Sequence, residues 1–263
     1  MILDRFRLDG RVAIVTGAGR GIGRAIALAF AEAGADVACA ARTVEQIMET
    51  AAAVHALGRR AIPVPCDVNE HAQLDELVAR AQAAFGRIDL LVNNAGGWPP
   101  KAALQTSERN FEAAFHFNVT SAFALTRRVV PVMLASAGGG AIVNISSRAG
   151  GLVQPGFAAY GTAKMALNYL TRELASEFAP KVRVNAIASG AVETDALQFV
   201  LSHEEIRRKM VEGTPMGRLG RVEDIAACAL YLASPASEWV TGKVIEVDGG
   251  TEQPALRFPT PPL

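Results

Sequence analysis

The stretch from Val12 to Phe30 limits the possible folds more than any other part of the chain. Val12-Ala13-Ile14-Val15 is a short apolar run rich in β-branched residues. It passes into Thr16-Gly17-Ala18-Gly19-Arg20-Gly21-Ile22-Gly23 and then into the apolar helical sequence Ala25-Ile26-Ala27-Leu28-Ala29-Phe30. Strand, glycine turn and helix in this order open a βαβ unit whose turn can seat phosphate groups at a helix N-terminus. Gly17 permits the tight turn, Gly21 a close approach of the main chain to a pyrophosphate, and Gly23 close packing of helix on strand. Gly19, Arg20 and Ile22 complete the nucleotide loop. No Gly-Lys-Ser/Thr follows, which disfavours a phosphate loop of the NTPase type.

The same alternation continues along the chain. Runs with strand character fall at Val12-Thr16, Asp36-Ala40, Ala61-Pro65, Leu90-Asn93, Ala141-Ile145, Arg183-Ala188 and Val244-Val247, each next to Ala/Leu-rich helical sequence. This pattern predicts a single-domain α/β fold over 1–263, a doubly wound Rossmann fold with a seven-stranded parallel sheet flanked by helices. Two segments depart from it. Residues 190–217 read as an inserted substrate loop with a helical piece around Leu201-Met210. Residues 253–263 carry Pro254, Pro259, Pro261 and Pro262, which forbid a helix or central strand there.

Charge excludes other classes. Lys+Arg and Asp+Glu each number 26, so the formal charge is zero and the basic footprint of a nucleic-acid binder is missing. No signal-like N-terminus and no run of roughly 18 apolar residues is present, so a cytoplasmic protein with no membrane partner is expected. Cys39, Cys66 and Cys228 are odd in number and widely spaced, and the four histidines lack ligand spacing. Buried free thiols and no metal site follow.

The cofactor can be read from the tip of the second strand. An acidic residue usually stands there to hold a ribose 2′-hydroxyl, whereas this chain reads Ala40-Ala41-Arg42-Thr43. Arg42, with Arg20 from the glycine loop, can form charge-assisted hydrogen bonds to a 2′-phosphate, which favours NADP(H) over NAD(H).

A second constellation lies downstream. Tyr160 and Lys164 are four apart on a helical stretch and share a face, so a phenol and an ammonium stand side by side. The ammonium is expected to lower the phenol's pKa from its free value of about 10. Ser147 lies thirteen residues before the tyrosine.

With these pieces on the page, the chain resembles the short-chain dehydrogenase/reductase family over roughly residues 8–250. The matching motifs are Thr16 to Gly23, Asp67-Val68, Asn93-Asn94-Ala95-Gly96, Asn118, Ser146-Ser147, Tyr160 with Lys164, Arg183-Val184-Asn185-Ala186 and Asp248-Gly249-Gly250. The resemblance implies a hydride-transferring enzyme acting on a small-molecule carbonyl or alcohol. It makes Tyr160 the general acid or base, selects Ser147 rather than Ser146 to hold the reacting oxygen, gives Lys164 the nicotinamide ribose, and has Asn118 hold a water of the proton relay. It further implies that Asn94, Ala95 and Gly96 line the cofactor channel, that Asp67 and Val68 border the adenine, and that Gly190, Val192 and Thr194 lie at the nicotinamide. The family usually has proline before that glycine, where this chain has Ser189. A homotetramer is implied on the same ground, with Val244-Val247 and the Pro-rich tail as one interface.

The substrate side is expected to draw on Gly97, Trp98, Pro99, Arg148, Gln154, Phe157, Leu197, Phe199, Val200 and Met210, a mostly apolar set that suits a bulky hydrophobic ketone or alcohol. Within the family, Asn93-Pro100, Thr194-Gly220 and Ala233-Ser237 are similar to bacterial hydroxysteroid dehydrogenases acting at the 7α position. Two rivals remain. Reduction of a 3-oxoacyl group on an acidic carrier protein would use a basic patch such as Arg127, Arg128, Arg172 and Lys181. A non-catalytic nicotinamide sensor would have no use for the tyrosine.

Overall fold

The computed structural model describes residues 1–197 and 202–254. Seven strands form one parallel sheet in the order β3-β2-β1-β4-β5-β6-β7. They are β1 Val12–Thr16, β2 Asp36–Ala41, β3 Ala61–Pro65, β4 Leu90–Asn93, β5 Gly140–Ser147, β6 Val182–Ser189 and β7 Val244–Val247. All seven sequence expectations are met, with β5 and β6 extending further than their β-branched cores.

Helices cover both faces, which is why β1 is buried throughout instead of alternating. Ala13 and Val15 point toward α1 (Gly21–Glu32), α2 (Val44–Ala56) and the late helix α8 (Val222–Ala233). Ile14 points the other way, into a cluster with α3 (His71–Phe85), α5 (Ser121–Ala137) and α6 (Ala158–Phe178). Helix α4 (Glu108–Phe115) starts at Ser107, whose side chain accepts from the Asn110 N–H, and continues through a π turn at His116–Thr120 into α5.

The segment expected to be irregular holds a 3₁₀ turn, Asp195–Leu197, and helix α7, Glu204–Glu212. Helix α7 begins after His203, later than the expected piece; Leu201 lies outside the described residues. Its Lys209–Glu205 and Arg208–Glu212 pairs, at 2.9 and 3.5 Å, suit a helix that buries none of its own residues.

The two edges of the sheet differ. At the N-terminal edge, buried Asp36 receives Arg59 and Arg60 at 2.7 Å each, and Asp89 receives Arg11 at 2.9 Å, Arg87 at 2.6 Å and the Val12 N–H at 3.0 Å. Below the C-terminal edge a buried polar ladder runs from Asn93 to Thr126 and Asn144, and from Asn144 to Thr171 on α6. Each side chain in it is hydrogen-bonded to another, so the ladder ties β4, β5 and α6 together.

Candidate active site

The C-terminal strand ends open onto one cavity of about 900 Å³. Its first part forms at the switch point between β1 and β4. Gly17 turns to φ 64°, a conformation that favours glycine. Asn94 Nδ2 donates to the carbonyls of Thr16 and Gly17 at 2.8 and 3.3 Å, while Thr16 Oγ1 accepts the N–H groups of Asn94 and Ala95 at 3.0 and 3.1 Å. A Cβ on Gly23 would run into the Gly17 carbonyl and the Asn94 amide. Gly23 therefore packs behind the turn and does not line the cavity.

Gly17, Gly19, Arg20, Gly21 and Ile22 line the cavity, and Asn94, Ala95 and Gly96 line it beside them. Helix α1 has no acidic residue in its first turn, so its free N–H groups and dipole meet no competing carboxylate. This donor set fits a dinucleotide's phosphates. Gly96 keeps the floor bare, since a Cβ there would fall 2.8 Å from Asn118 Oδ1 and 3.1 Å from Lys164 Nζ.

Arg42 is exposed at the tip of β2, lining the cavity beside Thr43 and Gln46, and makes no ion pair with the described residues. Arg20 departs from expectation. Its Nη1 lies 2.8 Å from Asp195 Oδ2, so it spans the mouth of the cavity toward the 3₁₀ turn instead of joining Arg42. Asp67 and Val68 lie in the wall, and Asp67 Oδ1 accepts both the main-chain and side-chain N–H groups of Asn69 at 3.0 and 2.9 Å. Gly190, Val192 and Thr194 also line the cavity, Thr194 against Gly21. Where the family has proline, Ser189 Oγ donates to the Ser146 carbonyl at 3.2 Å and the Gly190 N–H to Val247 at 2.9 Å.

Ser147 ends β5, Tyr160 lies in the first turn of α6, and Lys164 follows one turn later. All three line the cavity, and the Ser147 and Tyr160 hydroxyls are hydrogen-bonded. Ser147 Oγ also accepts the Ala149 N–H at 3.2 Å. Burial raises the phenol's pKa, and the bond to Ser147 offsets part of that rise. The expectation that Lys164 draws the phenol down is not met. Its Nζ donates to the Ile145 carbonyl at 2.9 Å and lies 5.7 Å from the centre of the tyrosine ring, while burial lowers the ammonium itself to about 8. Asn118 sits in the π turn, buried and outside the cavity wall. Its Nδ2 donates to Gly97 and Ala114 at 3.1 and 2.9 Å and its Oδ1 accepts the Gly97 N–H at 2.8 Å. Both amide hydrogens are thus engaged with the main chain, so the side chain braces the Gly96-Gly97 floor.

Of the expected substrate contacts, Gly97, Trp98, Arg148, Gln154, Phe157, Leu197 and Met210 line the cavity; Pro100 does so in place of Pro99. Trp98 is held by its Nε1 donating to Asn110 at 3.1 Å, and the Phe157 ring lies 6.1 Å from that of Tyr160. Phe199 and Val200 lie outside the described residues. Arg148 is buried, paired with Glu246 and with Asp248 at 2.7 Å, and donates to the Thr251 carbonyl at 2.9 Å, so its charge is engaged within the wall. Its Nε lies near the Asp248 carboxylate without an aligned hydrogen bond. Cys66, Leu152, Thr214, Thr251 and Pro254 also stand in the wall, although no sequence motif marked them. Ordinary packing residues carry no local signature, and Thr251, beside the closing Asp248-Gly249-Gly250, had the nearest thing to a signal.

Residues 17–252 match the family model described as enoyl-(acyl carrier protein) reductase. The chain belongs to the short-chain dehydrogenase/reductase family. Within that family it is 51% identical over 263 residues to an uncharacterised oxidoreductase of Mycobacterium tuberculosis, covering 100% of both chains. It is similar to a 7α-hydroxysteroid dehydrogenase solved with NADH and 7-oxo glycochenodeoxycholic acid, with a TM-score of 0.92 and 40% identity over 97% of this chain and 99% of that one. It is also similar to a gluconate 5-dehydrogenase of Burkholderia cenocepacia solved with NADP and tartrate, with a TM-score of 0.90 and 35% identity over 95% and 98%. The protein is therefore an NAD(P)-dependent oxidoreductase acting on CH–OH groups. The nicotinamide cofactor supplies or accepts the hydride, and the protein supplies orientation and proton transfer.

Proposed function

We propose that the protein interconverts a bulky apolar ketone and its secondary alcohol, steroid-like in size, with a preference for NADP(H). The observation that carries this reading is that charge at the substrate end is already engaged. Arg148 is held by Glu246, Asp248 and the Thr251 carbonyl, and Asp195 by Arg20. The surrounding wall includes Trp98, Leu152, Phe157, Leu197 and Met210. A sugar acid needs a free cation for its carboxylate, and among the described residues this end has none beyond Lys164 in the catalytic corner. An apolar ketone needs only the cavity and one polar contact at its oxygen.

That contact comes from the catalytic corner. Tyr160 passes its proton to the carbonyl oxygen or takes it back in the reverse direction, and Ser147, already bonded to the phenol, steadies the same oxygen as negative charge develops. Lys164 would hold the ribose hydroxyls, and Gly190, Val192 and Thr194 the nicotinamide side. The preference for NADP(H) rests on Arg42 at the tip of β2, which makes no ion pair among the described residues. Arg20 enters that clamp only by leaving Asp195.

Paired titration with NADPH and NADH, followed by a screen of ketones against sugar acids, tests both halves. Tighter NADPH binding by about tenfold, or about 1.4 kcal/mol, with turnover confined to apolar ketones is the expected result. Equal NADH binding would remove the phosphate reading, and turnover of a sugar acid would remove the apolar one. A protein that binds the cofactor and turns over nothing in either direction would be a sensor.

The carrier-protein reading has weaker support. Arg128 is bound to Asp75 at 2.7 Å and Arg127 lies over the Phe123 ring, so two of the four basic residues meet their own surface. A homotetramer through the free edge of β7 is proposed from the resemblance, and light scattering of the intact chain tests it; a monodisperse monomer would remove it.

A further inference from the structure

The end of β5 is tied to the end of the chain by one side chain. Ser147 pairs in register with Ser189, and Ser189 with Val247, so Arg148 must reach past β6 to meet β7. The residues at the crossing, Ser189 and Gly190, are small. A Cβ on Gly190 would come 2.6 Å from Asp248 Cα, so the closing turn is drawn close against it. Beyond β6 the Arg148 guanidinium meets Glu246, Asp248 and the Thr251 carbonyl. Asp248 in turn accepts the Gly250 N–H at 3.0 Å, and its carbonyl accepts the Thr251 hydroxyl at 2.8 Å. Thr251 and Pro254 stand in the cavity wall.

We propose that Arg148 is a positioning residue for the substrate: it fastens the closing turn and Thr251–Pro254 as the far wall of the cavity, and so sets the fit and selectivity of the ketone through that wall instead of by contact with its own charge. The geometry suits an arginine, since only a planar fork can serve two carboxylates and a carbonyl at once. The inference rests on the reading that the Ser147–Tyr160 end receives the substrate.

The test uses full-length variants Arg148→Met, Arg148→Lys, Glu246→Gln and Pro254→Gly, a panel of ketones graded in size, and separate titration with NADPH. Arg148→Met is expected to raise KM on the order of tenfold, to flatten discrimination across the panel, and to leave NADPH affinity unchanged. Pro254→Gly should give the same signature, and the two together should be less than additive because they act on one wall. Arg148→Lys should restore part of the selectivity. If Arg148→Met alters NADPH affinity and KM for every ketone alike, or if selectivity stays as in the wild type, the proposal is overturned. Should Arg148→Met fail to fold, Glu246→Gln and Pro254→Gly carry the test, and unchanged selectivity in both would overturn it. A wild type that turns over no ketone at all would instead defeat the functional reading beneath it.

Discussion

The two ends of the cavity are built by different means. At the nucleotide end main-chain atoms do most of the holding: the Gly17 turn, the N-terminus of α1 and the Thr16–Asn94 bonds at the switch point. At the substrate end side chains from distant segments are brought together, as when Arg148 meets Thr251 across a sequence separation of 103. A wall of main chain tolerates little change in residue size but asks little of residue type. A wall of side chains can be altered one residue at a time. The contrast explains how one fold can keep its cofactor while its substrate varies.

The largest effect should come where the two ends meet. Tyr160→Phe is expected to lower turnover about 10³-fold with NADPH binding unchanged; stopped-flow turnover beside a binding titration checks it, and full activity would break the scheme. Next is the nucleotide end. Gly23→Ala drives a methyl into the Gly17 carbonyl, and should cost about 1–3 kcal/mol of stability along with cofactor affinity, seen as a lower melting temperature that NADPH no longer raises. Leu152→Ala at the other end should leave NADPH binding intact, and the comparison fails if both variants lose the cofactor equally.

A third prediction concerns pH. The buried Lys164 ammonium titrates at about 8 in the folded protein but at 10.5 when unfolded. Between those values the unfolded chain binds one more proton, so stability falls as pH drops from 10.5 to about 8, at up to about 1.4 kcal/mol per unit, and levels off below that window. Denaturation of wild type and Lys164→Met across this window isolates the contribution, because the cysteine titrations are common to both; parallel curves would place the ammonium elsewhere. Arg42→Ala should remove about tenfold of any preference for NADPH over NADH, about 1.4 kcal/mol. The smallest effect belongs to Arg20→Ala, whose exposed pair with Asp195 is worth less than about 1 kcal/mol; a larger loss of NADPH affinity would mean that Arg20 changes partners on binding.

The same division decides what could be read from the chain. The strand, glycine turn and helix were legible because each conformation is dictated within a few residues, and the bounds of β1, β3, β4 and β7 match the runs that suggested them. Ser147, Tyr160 and Lys164 were legible as a spacing, and the structure brings them to one corner of the cavity. Their electrostatics were not legible: a helix face predicts that the lysine and tyrosine are neighbours, not that the Ile145 carbonyl holds the ammonium. Arg148 was placed in the right wall, but the engagement of its charge was not legible, because its partners lie about a hundred residues further on. Asn118 was found as a motif, yet its engagement with Gly97 and Ala114 depends on a π turn that no hydrophobic period reveals.

The buried carboxylates at the opposite edge of the sheet bear on how the protein meets acid. Burial alone would push Asp36 up, but hydrogen bonds from the Arg60 main chain and side chain and the charge of Arg59 hold it below the usual carboxylate range. Its share of stability is present above that range and disappears as pH falls through the lowered value. Acid strong enough to protonate Asp36 thus loosens the molecule on a side that performs no chemistry. The lower pH limit of the enzyme and the identity of its reaction are therefore inherited separately: changes around Arg59 and Arg60 can shift where the protein survives while every group that meets cofactor or substrate stays as it is.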